Sequence, residues 1–144
     1  MDQQITFGYW GVRGLGQVCR LLLQYTGANW VDKKYTSPDS WFGNDKKNMG
    51  FSFPNLPYII EGNLKITESG ALRRYIINRS EKKELLGKDM RDQAIVDNLL
   101  GVQEDAAKII RELYFHENFE EAKAGVMQRA KRKLDLCQKF YGDK

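Results

Sequence analysis

Apolar positions along this chain change period several times, and each change marks an element. Ile5-Thr6-Phe7 is a short apolar-polar-apolar alternation and predicts a strand. From Leu15 to Tyr25 the period lengthens. Val18, Cys19, Leu22 and Leu23 fall at helical spacing, and Gly27 supplies a stop where a left-handed residue is often needed. Trp30 to Tyr35 alternates weakly and reads as a second strand. Thr36 to Phe53 is polar and glycine-containing, with one short helix expected around Trp41 to Lys46. Tyr58–Glu61 and Leu64–Thr67 flank Gly62-Asn63, a two-residue hairpin signal. Ser69 to Arg79 follows as a helix, with Ala71, Leu72, Tyr75 and Ile76 on its apolar face. The order β-α-β-loop-β-β-α predicts a sheet with helices on both faces.

Beyond the charged stretch Arg79-Ser80-Glu81-Lys82-Lys83-Glu84 the pattern becomes purely helical. Ile95, Leu99, Val102, Ala106, Ile109 and Leu113 step by fours and threes, as an amphipathic helix does. Phe119, Ala122, Val126, Ala130, Leu134 and Cys137 repeat the spacing, with Asn118 as a candidate cap. The fold class expected is α/β: a thioredoxin-like domain over residues 1–80, a linker over 81–88, and a shortened all-α region of two long helices over 89–144.

Composition narrows the chemistry. The chain has 144 residues, 42% hydrophobic and 29% charged, which suits a soluble globular protein. The net charge of +4 is mild, and the basic residues are scattered rather than interleaved with aromatics, so nucleic acid is not an expected partner. No apolar run reaches the length of a membrane span, and Met1-Asp2-Gln3-Gln4 does not read as a secretory signal. Cys19 and Cys137 are isolated, without a CxxC, the usage of a reducing compartment; cytoplasmic placement is expected. His116 is the single histidine, so neither a histidine triad nor a histidine-rich zinc site can be built without it, and no metal is expected.

Four phrases carry candidate chemistry: Gly8-Tyr9-Trp10-Gly11-Val12-Arg13-Gly14-Leu15, Arg20-Leu21-Leu22-Leu23-Gln24-Tyr25-Thr26, Phe53-Pro54-Asn55-Leu56-Pro57-Tyr58 and Lys65-Ile66-Thr67-Glu68-Ser69. In this order and spacing they resemble the cytosolic glutathione transferases, closest to the mu class and its sigma-like relatives. The resemblance covers the first 80 residues well and the two helices behind them loosely.

The resemblance implies a site for glutathione as co-substrate. Pro57 takes the place of a cis-proline that presents the backbone N–H and C=O of Leu56, beside Asn55, to an extended peptide, as an added strand would meet them; the plainer reading is a rigid packing loop. Ser69 matches a helix-capping residue at an anion site for the γ-glutamyl carboxylate, with Glu68 to take the ammonium; a plain helix cap is the alternative. Tyr9 matches the tyrosine that donates to the thiolate, with the field of the Leu15 helix nearby; otherwise it is an amphipathic aromatic at a strand end. Trp10, Leu15, Trp41 and Lys46 match positions lining the site and binding the glycyl carboxylate, a role open to Lys46 or Lys47, a lysine there being otherwise a solvated charge. Between Thr36 and Trp41 this chain is several residues shorter than the mu pattern and lacks its loop arginine. Asp105 matches an acid that reaches the glutathione amine of a partner subunit, or else is an exposed helix charge. Tyr114 lies near a tyrosine that assists the electrophile.

The family continues with further helices after the second long one, including part of the pocket for the second substrate. The expectations are therefore a tyrosine-activated glutathione transferase-like enzyme acting on small electrophiles, dimeric through its helical region, or a non-catalytic subunit of a larger assembly. A thioredoxin-like redox role is the weakest reading, because no cysteine flanks the proline loop and Cys19 reads as core.

Overall fold

The structure is a computed structural model and describes residues 3–142. It divides into two compact units, Met1–Leu86 and Gly87–Lys144. In the first, a four-stranded sheet has the order β2-β1-β3-β4, with β1 Ile5–Trp10, β2 Trp30–Tyr35, β3 Tyr58–Glu61 and β4 Leu64–Thr67. β1 and β2 are parallel; β3 is antiparallel to both β1 and β4. The β3–β4 hairpin turns at Gly62-Asn63, with Gly62 at φ 56°, a backbone that favours glycine.

β1 is longer than the alternation of residues 5–7 suggests, because its pairing with β2 runs on to Trp10↔Tyr35. Helix α1, Gln17–Tyr25, begins two residues later than expected; a 3₁₀ turn over Gly14–Gly16 precedes it and contains Leu15. Gly27, at φ 67°, follows the helix as a stop. The expected short helix proves to be a wide π-turn over Ser40–Asp45 running into α2, Lys46–Asn48. Helix α3 spans Ser69–Arg79.

Strand alternation sorts the core onto the two faces of the sheet. Ile5, Phe7 and Tyr9 share one face with Cys19 and Leu23 of α1. The Arg20 guanidinium lies 5.5 Å from the Phe7 ring centre and 5.8 Å from that of Tyr9. α1 and α3 pack on each other, so they share a face rather than taking one each. The other face is aromatic: Trp41 stacks on Tyr58 at 6.0 Å and meets Tyr35 edge-on at 5.3 Å. Gly8 opens this layer, since a Cβ there would lie 2.1 Å from Tyr58 Cζ.

The second unit pairs α4, Met90–Glu112, with α5, Phe119–Tyr141. Asp89 caps α4 by accepting the Asp92 N–H at 2.9 Å, and Asn118 caps α5 through the Glu121 N–H at 3.5 Å. Ala106, Leu113, Val126 and Ala130 are buried, whereas Ile95 and Leu134, on the same sequence stripes, are exposed. Among the described residues no helix is long and apolar enough to cross a membrane.

Candidate functional site

Strand register gathers the candidate residues before any side chain is considered. Gly8 pairs with Tyr58, and Tyr58 with Thr67. The next residues towards that end of the sheet are therefore Tyr9, Pro57 and Glu68. Three segments far apart in sequence thus meet at one end of the sheet.

Tyr9 is 7% exposed, and its hydroxyl accepts the Leu15 N–H at 3.1 Å. Glycine makes room for it. A Cβ on Gly16 would lie 2.4 Å from Tyr9 Cδ1, and one on Gly14, at φ 36°, 2.7 Å from the hydroxyl oxygen. The loop is fastened from α1 by Arg20, which donates to the carbonyls of Trp10 at 3.0 Å and Val12 at 2.8 Å and to Asp32 at 3.0 Å. Arg20 stands in one of the quoted phrases, but its clamping role depends on contacts eight to twelve residues away that periodicity does not show.

The Leu56–Pro57 peptide is cis. The Leu56 N–H was expected to point outward unpaired; here it donates to Asn55 Oδ1 at 2.9 Å. Asn55 Nδ2 in turn donates to Glu68 Oε1 at 3.2 Å, so the exposed Asn55 side chain bridges the proline loop and the start of α3. Thr67 fastens the same loop by donating to the Phe53 carbonyl at 2.9 Å.

Ser69 is the first residue of α3 rather than its cap. The cap position belongs to Glu68, at φ 70°, and no side chain caps this end. A non-glycine residue in that region is held by its surroundings, and such residues gather at functional sites. The N-terminal amides of α3 are consequently open to an external acceptor.

Trp10 is half-buried, edge-on to Tyr35 at 6.2 Å and tilted against Phe42 at 6.0 Å. Leu15 is partly exposed in its 3₁₀ turn. Trp41, expected to line a ligand, is 2% exposed and sits in the aromatic core, because its ring stacks on the wholly buried Tyr58. Lys46 is half-buried with its ammonium 5.2 Å above the Phe42 ring, and among the described residues it meets no carboxylate. A cavity of about 520 Å³ opens beside Trp10, lined also by Gly11, Val12, Tyr35, Thr36, Ser37 and Pro38. Of these residues only Trp10 was singled out for the site from the sequence.

Asp105 and Tyr114 belong to the second unit. The Asp105 carboxylate accepts from Lys133 Nζ at 3.1 Å on α5. Tyr114 is 82% exposed in the 3₁₀ turn Leu113–Phe115 that follows α4. A separate groove of about 260 Å³ in this unit is lined by Val96, Leu99, Leu100, Leu134, Cys137 and Tyr141.

Cys19 is wholly buried, and burial pushes its thiol up to about 11 despite the nearby Arg73 and Arg20, so it stays protonated and unreactive. Among the described residues no three of His, Cys, Asp and Glu come together as metal ligands.

The model of the glutathione S-transferase N-terminal domain matches residues 5–78, from the first residue of β1 to the penultimate residue of α3. The chain belongs to the glutathione S-transferase family. Its relatives include glutathione S-transferase Mu 5 of Homo sapiens, 39% identical, and Mu 7 of Rattus norvegicus, 35% identical. Each comparison covers 96% of this chain and 65% of the relative, so this transferase-family chain spans just under two thirds of their length. Among solved structures it is similar to a glutathione S-transferase from Ascaris lumbricoides, with TM-score 0.80 and 26% identity over 95% of this chain and 67% of that one. The glutathione S-transferase Blo t 8 shares the fold at TM-score 0.83, over 94% of this chain and 63% of that one.

Proposed function

We propose that this chain binds glutathione at the Tyr9–Pro57–Glu68 end of the sheet and ionises its thiol against the Tyr9 hydroxyl, for attack on a small electrophile. The observation that carries the reading is the 3.1 Å bond from the Leu15 N–H to the Tyr9 hydroxyl. An amide N–H can only donate, so it occupies a lone pair of the oxygen and leaves the O–H proton to point elsewhere. A thiolate is a suitable acceptor. Free thiols titrate at about 8.5, and each unit of lowering needs about 1.4 kcal/mol of selective stabilisation of the anion. A charge-assisted hydrogen bond of about 1.5–3 kcal/mol supplies that in a site shielded from water.

The remaining groups suit the rest of the tripeptide. The amides and dipole at the start of α3, at Ser69, suit the γ-glutamyl carboxylate, and the Glu68 carboxylate suits its ammonium. Leu56 offers its backbone to the cysteinyl unit once Asn55 swings away from the N–H. Lys46 suits the glycyl carboxylate. The cavity beside Trp10 is the place for the electrophile, where its apolar walls would hold it near the thiolate. Two free cysteines suit a reducing, cytoplasmic setting in which glutathione itself stays reduced. Asp105 would reach a partner subunit's ligand only by giving up Lys133.

A second reading, a non-catalytic subunit of a homodimer or larger assembly, is favoured by the exposure of Met127, Leu134, Leu136, Phe140 and Tyr141 on α5. One experiment separates the two: a glutathione titration followed by thiolate absorbance, on the native chain and on Tyr9→Phe. Saturable thiolate at neutral pH that is lost in Tyr9→Phe supports the transferase reading. Absence of binding in both chains removes it in favour of the assembly reading.

A further inference from the structure

Tyr35 is the hub of the aromatic face. It is nearly wholly buried at the end of β2, and its hydroxyl donates to Asp45 Oδ2 at 2.6 Å. The Tyr58 hydroxyl lies 3.0 Å from the Tyr35 hydroxyl. Asp45 also receives Lys33 Nζ on Oδ2 and Asn44 Nδ2 on Oδ1 at 3.0 Å. Both strand partners of Asp45, Lys33 and Tyr35, come from β2, and Tyr58 of β3 joins them only through Tyr35, while Asp45 closes the π-turn and precedes Lys46. The π-turn is thus pinned to the sheet at its last residue.

The pinning has an electrostatic result. A carboxylate one residue from Lys46 would ordinarily compete for its ammonium and repel an incoming anion. Asp45 is instead satisfied by Lys33 and by hydrogen bonds from Tyr35 and Asn44, and Lys46 is left over the Phe42 ring, which leans on Trp10. A cation held over Phe42, which in turn leans on Trp10, without a carboxylate partner among the described residues is placed for an external anion.

We propose that Asp45, held by Lys33 and by Tyr35, is a positioning residue that fixes Lys46 for the glycyl carboxylate of glutathione, so that the site distinguishes the tripeptide from γ-glutamylcysteine. The proposal rests on the glutathione reading above and adds the device that sets specificity at the glycyl end. Asp45 touches no substrate; it acts through Lys46.

The test measures dissociation constants of the full chain for glutathione and for γ-glutamylcysteine, which lacks the glycyl carboxylate. The variants are Asp45→Asn, Lys33→Met, Tyr35→Phe and Lys46→Met, with thermal melts as the control for folding. Asp45→Asn, Lys33→Met and Lys46→Met are expected to weaken glutathione roughly three- to tenfold, the range of one partly exposed ion pair, and to leave the dipeptide within about twofold. Asp45→Asn added to Lys46→Met is expected to weaken glutathione no further. Tyr35→Phe, which keeps the ring, is expected to act in the same direction and less strongly. Equal weakening of both ligands by Asp45→Asn and Lys33→Met, or no weakening, overturns the positioning role while Lys46→Met still discriminates. A Lys46→Met chain that keeps the full preference for glutathione overturns the glycyl reading of Lys46 and the proposal with it. A native chain that binds neither ligand overturns the glutathione reading itself.

Discussion

The Leu15 N–H donates to the Tyr9 hydroxyl across 3.1 Å, joining the end of β1 to the 3₁₀ turn that opens α1. Only the hydroxyl proton of Tyr9 is then left to donate. Tyr9→Phe keeps the ring and its packing but leaves the Leu15 N–H without its acceptor. The expected thermodynamic cost is about 1–2 kcal/mol. Glutathione affinity should change little, whereas the bound thiol should titrate about one unit or more higher, reducing thiolate at pH 7 about tenfold per unit. Thiolate absorbance against pH checks this directly.

Gly16 tests the same relationship without touching the hydroxyl. A methyl group in Gly16→Ala would sit 2.4 Å from Tyr9 Cδ1, so the ring must move. The expected result is a loss of stability of about 1–3 kcal/mol together with a loss of bound thiolate. A variant that melts lower but keeps its thiolate would show that the ring can shift without moving its hydroxyl.

Arg20 joins three acceptors that a lysine cannot reach together: the carbonyls of Trp10 and Val12, and Asp32. Asp32 Oδ1 already lacks a hydrogen-bond partner and the exposed Lys34 reaches Oδ2 only at 3.6 Å, so weakening the Arg20 contact leaves a less well compensated charge. Arg20→Lys is expected to destabilise the chain by about 2–3 kcal/mol in chemical denaturation, because the planar fork is lost. By contrast, Lys133→Met breaks a solvent-screened pair with Asp105 and should change stability by no more than about 0.5 kcal/mol.

Two buried tyrosines, Tyr35 and Tyr58, and the half-buried Tyr75 set the alkaline limit. Burial, then bonds with Asp45 and Tyr58, push Tyr35 far up; burial raises Tyr58; burial and the Glu61 bond push Tyr75 up to about 12. A group whose pKa is raised on folding stabilises the protein fully below its unfolded value, about 10 for tyrosine, and loses that contribution as pH rises towards the folded value. Stability should therefore fall steadily above pH 10. The phenolate absorbance of these residues should rise with unfolding rather than before it, and Tyr35→Phe should flatten the alkaline decline.

Asp45 works in the opposite direction at acid pH. The Lys33 contact, then the Tyr35 hydroxyl, hold its carboxyl below the usual range. Its contribution is present above the unfolded value of about 4 and disappears as pH falls through the lower folded value. Asp45→Asn should accordingly reduce the difference in melting temperature between pH 6 and pH 3.

The local pattern was strong where one element decides its own conformation. The β2 alternation, the Gly62-Asn63 turn and the two long helices of the second unit all appear where periodicity and turn chemistry put them. Asn118 caps α5 for the same reason: a capping side chain needs only its own next turn. Ser69 lay at the right junction but one residue from the cap, because Glu68, whose backbone takes φ 70°, occupies the cap position.

Trp41 shows where the pattern stops. A tryptophan in a polar loop reads as a surface contact, yet its burial depends on Tyr58, seventeen positions away, whose ring fits only because Gly8 on the next strand has no side chain. The Asp45 cluster is of the same kind, assembled from two strands and a π-turn. By itself the sequence determined the elements and the order in which they occur, since propensity, turn chemistry and capping act over a few neighbours. Tertiary structure alone decided that Tyr9, Pro57 and Glu68 fall at one end of the sheet, that Asn55 reaches Glu68, and that Lys46 stands without a carboxylate partner among the described residues. Those outcomes depend on strand register and on which buried groups satisfy one another, and both are properties of segments brought together only by folding.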